Sequence, residues 1–137
     1  MTNPTATPSF PKELTITREA EMQAQALLSN NPNDDGALHT LGLAKYGSGE
    51  AQEALDLIVQ ANKLCPTNPV YCLSLGRILA REKMYNQATL AYLAAQELDP
   101  ANPIVLTELA ESLLALGKND EAKTVMEASM QLVQGVR

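Results

Sequence analysis

The chain has little of what enzyme and metal sites are usually built from. Its 137 residues contain no tryptophan, one phenylalanine, one histidine and two cysteines. A catalytic or zinc site needs several nucleophilic, basic or metal-ligating side chains close together, and one imidazole with two thiols does not supply them. The sequence also has no glycine-rich phosphate-binding loop. It therefore predicts a protein that is not an enzyme and that needs no cofactor or metal.

The single histidine stands in the one acid–base grouping that the sequence offers. His39 closely follows Asp34 and Asp35, at the start of a stretch with helical periodicity. A carboxylate there accepts hydrogen bonds from free backbone N–H groups, so we interpret both aspartates as helix caps. Cys65 and Cys72 have no second cysteine pair beside them, so we expect reduced thiols. Leucines stand 34 residues before and after Cys72, which predicts a small buried side chain.

Basic residues and long apolar runs are also scarce. The chain has 10 lysines and arginines against 16 aspartates and glutamates, which gives a net charge of -6. This balance repels the phosphate backbone on average and argues against a nucleic-acid partner. No apolar run is long enough for a membrane span, and the N-terminal residues lack the segments of a signal peptide. We expect a cytoplasmic protein without a membrane span.

The composition is otherwise that of one folded domain. Apolar residues make up 45% of the chain and charged residues 19%, which is ordinary for a globular protein. Residues 1–15 differ, because prolines and threonines follow one another there without apolar periodicity. We predict a flexible tail over residues 1–15 and a helical domain over residues 16–137.

What the sequence does have is a repeat of 34 residues. A period of this length is typical of stacked helix pairs, each of which buries its apolar face against its neighbours. Three units are predicted, over residues 35–68, 69–102 and 103–136. The recurring residues are Ala20, Ala54, Ala88 and Ala122; Pro32, Pro66 and Pro100; and Gly42, Gly76 and Ala110.

Each unit contains two stretches with helical periodicity. Glycine, serine and asparagine separate the two stretches of the first and third units, and proline with asparagine or aspartate separates one unit from the next. One further helix precedes the first unit and lacks a partner before it. The prediction is an all-α fold of about seven helices, as three helix pairs plus one preceding helix. The helices are predicted at about 17–29, 36–47, 51–64, 70–81, 86–98, 104–116 and 120–133.

Glycines in the first helix of two units predict close contact between the helices of a pair. Gly42 and Gly76 lie inside predicted helices, where a glycine costs about 1 kcal/mol relative to alanine. Close packing has to return more than this cost. Ala54 and Ala88, in the second helices, are small as well and allow the same approach.

The pattern resembles the tetratricopeptide repeat, which has a Leu-Gly pair in its first helix, two alanines in its second and a proline at its end. The first unit has Leu41–Gly42, Ala54, Ala61 and Pro66, and the second has Leu75–Gly76, Ala88, Ala95 and Pro100. The third unit departs from the pattern, with Ala110, Ser129 and no terminal proline. The resemblance covers about residues 17–136. It implies a right-handed superhelix whose first helices line a concave face that holds a segment of another protein.

The resemblance also implies which side chains would contact that segment. Leucines on the concave face would bind apolar side chains, and arginines would pair with acidic groups or peptide carbonyls. The lysine, asparagine and arginine clamp that some family members use for acidic C-termini of heat-shock chaperones is absent. At its positions stand His39, Leu43, Ser74, Ile104 and Glu108. The predicted peptide-binding residues are His39, Leu43, Tyr46, Leu73, Arg77, Ala80, Arg81, Thr107, Glu111 and Leu114.

Within this family the chain is similar to the type III secretion chaperones that hold translocator subunits. The stretch from Asn102 to Ala122 carries the Ala-Glu, paired leucine, glycine and Glu-Ala pattern of that class. The similarity implies a chaperone or adaptor for a partner protein. One alternative is a structural scaffold subunit that binds a folded partner through its convex face or its ends; another is a repeat array of the kind found in longer chains. A homodimer is a further alternative, because the last predicted helix has an apolar end that a second copy could cover.

Overall fold

The structure of the protein is a computed structural model that describes residues 16–135. Within this range the chain forms seven α-helices and no β-strand, which confirms the predicted all-α fold. Every helix boundary lies within about one residue of its predicted position. The predicted tail, residues 1–15, lies outside the described residues. The helices are α1 (Arg18–Asn30), α2 (Asp35–Gly47), α3 (Ala51–Leu64), α4 (Pro69–Arg81), α5 (Tyr85–Leu98), α6 (Pro103–Ala115) and α7 (Asn119–Gln134).

Polar side chains begin the first helix of each unit. The Asn68 and Asn102 side chains each accept a hydrogen bond, at 2.9 Å, from the backbone N–H two residues later. Proline follows each asparagine at the first helical position, where the missing N–H has no helical partner to lose. For this reason α4 and α6 start at the proline, one residue earlier than predicted. Asp34 caps α2 as predicted and accepts from the N–H three residues later at 3.0 Å.

The turn inside each helix pair uses the left-handed backbone conformation at one position. Gly49 and Gly117 have φ angles of 87° and 79°, which glycine adopts readily. The corresponding position of the middle unit is Lys83, with a φ of 63°. A side chain in this conformation costs roughly 1 kcal/mol. The three units thus share one turn geometry, although only two of them have the residue that favours it.

Close contact within the helix pairs is confirmed. A Cβ atom added to Gly42 would lie 2.6 Å from Ile58 Cγ1, and one added to Gly76 would lie 2.6 Å from two ring carbons of Tyr92. The third unit has Ala110 at this position, and Met126 packs against the cluster that contains it. Because methionine is unbranched and flexible, it can yield to the additional methyl group.

The helices form one continuous stack. The two helices of each unit pack closely on each other, and α3 and α5 also pack against the first helix of the next unit. Buried clusters bridge the units; in one of them Cys72, buried as predicted, packs with Ala95 and Val105. The resemblance to the tetratricopeptide repeat implies that the first helices α2, α4 and α6 line a concave side, which we call the concave face. We call the side formed by the second helices α3, α5 and α7 the convex face.

Candidate binding surface

Leu43 and Tyr46 belong to the hydrophobic core and offer little surface to a peptide. Leu43 is 4% exposed and Tyr46 is 7% exposed, and both lie in the cluster that contains Ile58 and Ile78. The Tyr46 hydroxyl donates to Glu82 at 3.1 Å. Burial and this hydrogen bond raise the pKa of Tyr46 to about 12. They are buried because α3 and α4 contribute Ile58 and Ile78 to the same cluster and so cover this part of α2.

His39 takes part in a polar cluster that joins α2 to α4. Its Nε2 lies 2.7 Å from the Ser74 hydroxyl oxygen, and its ring packs against Tyr71 with centroids 4.9 Å apart. The Tyr71 hydroxyl donates to Asp35 at 2.6 Å. Burial lowers the pKa of His39 to about 4, so the imidazole is neutral at neutral pH. These hydrogen bonds link two repeat units. Because Ser74 is buried, its hydroxyl is not an accessible nucleophile.

Arg77 forms an ion pair with the next repeat unit. Its Nε donates to Glu108 Oε1 at 2.8 Å, and its Nη2 donates to Oε2 at 2.7 Å. The side chains are only 9% and 19% exposed, so the pair is largely removed from water. The predicted role for Arg77 was pairing with acidic groups of a ligand. In the structure the guanidinium of Arg77 already binds the carboxylate of Glu108 in bidentate geometry.

The remaining predicted residues of α4 are partly buried, and those of α6 are exposed. Leu73 and Ala80 pack against the cluster around Ala88 and Leu109. Arg81 is also partly buried. On α6 the side chains of three predicted residues lie at the surface, so this helix provides most of the accessible concave face. These residues are Thr107, Glu111 and Leu114.

Two adjoining cavities lie on the concave face between α4 and the end of α7. The first has a volume of about 220 Å³ and is lined by Arg77, Ala80, Arg81, Tyr92, Glu108 and Glu111. The second has a volume of about 350 Å³ and is lined by Pro103, Ile104, Thr107, Glu108, Glu111, Ser129 and Val133. They share two residues, Glu108 and Glu111, and so form one groove. We call these two cavities together the C-terminal groove.

The C-terminal groove brings together five of the ten predicted residues and adds others. Arg77, Ala80, Arg81, Thr107 and Glu111 line it, whereas His39, Leu43, Tyr46, Leu73 and Leu114 do not.

Two apolar side chains of the second cavity were absent from the predicted set. Ile104, at the start of α6, is 53% exposed, and Val133, near the end of α7, is 63% exposed. Val133 follows the exposed Met130 by three residues, so both lie on one helix face. This spacing in the last helix is the signal that could have pointed to Val133. Val133 is absent from the predicted set because the resemblance implies binding by first helices, and α7 is a second helix.

The carboxylates of the C-terminal groove act on Tyr92, which lines the first cavity. The pKa of Tyr92 is raised, chiefly by burial and further by the negative charge of Glu108, while the Arg77 guanidinium opposes part of this effect. Glu111 also raises it. The cavity beside Tyr92 is lined by two arginines, Arg77 and Arg81, as well as by Glu108 and Glu111.

The described part of the chain has neither a metal-binding cluster nor a helix that could span a membrane. No group of three or more His, Cys, Asp or Glu side chains among residues 16–135 could hold a metal ion. Of the helices in the same range, none has the length and apolar character that a membrane span requires. Cys65 and Cys72 are both free thiols, and burial raises the pKa of Cys72.

Solved structures share this architecture. A crystal structure of MamA superposes with a TM-score of 0.79 over 84% of this chain and 67% of that chain, at 17% identity. The first TPR of Spaghetti (RPAP3), bound to the HSP90 peptide SRMEEVD, superposes with a TM-score of 0.68 over 72% of this chain and 78% of that chain, at 23% identity. Residues 70–102 match a family model of the tetratricopeptide repeat. The chain has the tetratricopeptide repeat fold.

One curated relative of this repeat chain was found at the sequence level. Cellulose synthase operon protein C of Pseudomonas fluorescens (strain SBW25) is 27% identical over 110 residues. The match covers 80% of the chain but only 9% of the relative's length. The chain therefore spans about a tenth of this curated relative.

Proposed function

We propose that this tetratricopeptide repeat chain is a non-enzymatic protein-binding module that acts as a chaperone or adaptor and holds a segment of a partner protein on its concave face. The observation that carries the proposal is the C-terminal groove. Its two cavities have volumes of about 220 and 350 Å³ and adjoin along Glu108 and Glu111. Together they combine apolar with charged side chains, which suits a peptide segment.

The structural neighbour solved with a bound peptide supports the same use of the fold. The first TPR of Spaghetti (RPAP3) carries the HSP90 peptide SRMEEVD in its structure. The present chain has His39, Leu43, Ser74, Ile104 and Glu108 where a carboxylate clamp would have its cationic and amide side chains. We therefore propose a peptide partner of another chemistry. We keep the cytoplasm as the proposed location.

A random peptide library displayed on phage, panned on the intact chain, tests the proposal. Enriched peptides are synthesised and their Kd values measured by isothermal titration calorimetry. Ile104→Glu places a charge in the second cavity and should weaken binding by at least about tenfold. Leu90→Glu is the matched control, because Leu90 is 67% exposed on α5 and lies outside both cavities. It should leave the Kd unchanged.

Two results would overturn the concave-face proposal. One is a library that yields no peptide with a measurable Kd. The other is a selected peptide whose affinity falls as much with Leu90→Glu as with Ile104→Glu. Circular dichroism of both variants confirms that each is folded before the comparison is made.

A structural scaffold is the second candidate, and a cavity on the convex face favours it. This cavity has a volume of about 420 Å³, and apolar side chains make up half of its lining residues. A folded partner bound there would be lost with Leu93→Glu and retained with Ile104→Glu, the reverse of the outcome proposed above. Its lining residues are Thr89, Leu93, Leu109, Leu113, Lys118, Glu121, Thr124 and Val125.

The narrower role of a type III secretion chaperone depends on the similarity of residues 102–122 alone. The relatives reported above have no secretion-related names. This role predicts a client that aggregates when produced alone and stays in solution when produced together with this chain. A client that is equally soluble without the chain would contradict it. Light scattering of the isolated chain tests at the same time whether it forms a homodimer.

A further inference from the structure

We infer that the second cavity of the C-terminal groove selects a partner segment that carries a lysine or arginine next to an aliphatic side chain, with the cation at Glu111 and the aliphatic group between Ile104 and Val133. This inference rests on the proposed peptide-binding function and adds to it the chemical class of the partner.

The charges that line the second cavity are both carboxylates, and they differ in availability. Glu108 is bound bidentately by Arg77, at 2.7 and 2.8 Å, and is therefore neutralised by the chain itself. Glu111 is exposed on the same helix, three residues further on, and points to the same side. Since it lines both cavities, a cation bound there would lie at the middle of the groove.

The apolar side of the second cavity comes from two helices. Ile104 is 53% exposed at the start of α6, and Val133 is 63% exposed near the end of α7. The two side chains line one cavity of about 350 Å³, which is large enough for an aliphatic side chain. Covering them would remove apolar surface from water, at roughly 25 cal/mol per Å². The Thr107 and Ser129 hydroxyls each donate to the Pro103 carbonyl oxygen, at 2.9 and 3.0 Å, and their own oxygens lie 3.0 Å apart.

Charge complementarity argues against the other occupants. An acidic peptide in the second cavity would bring its carboxylates to Glu111, and no basic side chain is among the residues that line this cavity. Arg77 of the first cavity is already paired with Glu108. A second copy of this chain carries a net charge of -6 and would on average repel the first. A segment with one cationic and one aliphatic side chain satisfies the exposed carboxylate and the exposed apolar pair together.

The phage-displayed random peptide library is the probe, and the composition of the selected peptides is the first readout. Wild-type chain should enrich Lys or Arg adjacent to Leu, Ile, Val or Met. The Kd of a selected peptide should rise by at least about tenfold with Glu111→Lys, and the wild-type affinity should fall as salt is added. Glu97→Lys is the matched control, since Glu97 is exposed on α5 outside both cavities and its reversal changes the net charge equally. It should leave the Kd unchanged.

The outcomes separate this inference from the proposed function. Selected peptides that lose affinity with Ile104→Glu but show no preference for Lys or Arg, or that bind Glu111→Lys as tightly as wild type, overturn the inference and leave the function standing. A library that yields no binding peptide overturns both. A self-associated chain that binds peptide only after Ile104→Glu dissociates it would make a second copy the occupant, and would also overturn the inference.

Discussion

Removing the Glu108 carboxylate should destabilise the whole repeat stack, because it leaves the Arg77 guanidinium buried without its partner. The two side chains are 9% and 19% exposed, and they share hydrogen bonds of 2.7 and 2.8 Å. Breaking a buried ion pair from one side costs about 3–5 kcal/mol. Glu108 keeps some contact with water, so we expect the lower end for Glu108→Leu, about 3 kcal/mol.

Replacing both partners should cost far less than replacing one. In the double variant Arg77→Met, Glu108→Leu no charge remains buried, and such replacements of a buried pair are often neutral or stabilising. We expect its free energy of unfolding to lie within about 1 kcal/mol of wild type. Urea unfolding followed by far-UV circular dichroism measures all three chains under one set of conditions.

The order of stability among wild type, Glu108→Leu and the double variant tests whether the ion pair is buried. A double variant that is less stable than Glu108→Leu alone would refute the reasoning. So would a cost below about 1 kcal/mol for Glu108→Leu, since this is the value of a solvent-exposed pair. In that case Arg77 would be accessible enough to bind a ligand carboxylate, and the preference inferred for a cationic segment would lose its basis.

Three further predictions test the packing and the electrostatics of the fold. Gly76→Ala should cost about 1–3 kcal/mol, because its Cβ would lie 2.6 Å from the Tyr92 ring, whereas Gly47→Ala meets nothing within 4 Å and should cost nothing in urea unfolding. Lys83→Gly should raise the unfolding free energy by about 0.5–1 kcal/mol, because φ there is 63°; a loss of stability would contradict this explanation. Folding lowers the pKa of His39 from 6.5 to about 4, so the unfolded chain binds more protons between these values and stability should rise with pH until the unfolded pKa is passed. Between about pH 5 and pH 7 the free energy of unfolding should rise by about 2 kcal/mol because of His39. This rise should be absent from His39→Gln. An equal pH dependence in both chains would show that other groups cause it.

The helices were predictable because their signals are local. The first helices of the second and third units start at an asparagine cap followed by a proline, at Asn68 and Asn102. Gly76 was recognisable as a close-contact position because a glycine inside a helix needs a compensating contact, and the Tyr92 ring provides it. These features depend on backbone chemistry and on spacing along the chain.

The binding surface was less predictable because exposure depends on the neighbours of a helix. Tyr46 and Leu114 lie 68 residues apart and occupy the same repeat position in α2 and α6, yet the first is 7% exposed and the second is 44% exposed. The difference is that Tyr46 packs in one buried cluster with Ile78 of the next unit and donates to Glu82, a contact across units that no local pattern shows. The partner of Arg77 is 31 residues away, and no local pattern links the two. Val133 lies in a second helix and lines the groove only because α7 packs beside α6.

The most direct test of a peptide-binding concave face is a methyl NMR titration. The chain, labelled at isoleucine, leucine and valine methyl groups, is titrated with a peptide selected from the library. We expect the methyl chemical shifts of Ile104 and Val133 to change together with one Kd, while those of Leu90 and Leu93 on the convex face stay unchanged. Movement of the Leu90 and Leu93 signals, with Ile104 and Val133 unchanged, would contradict it.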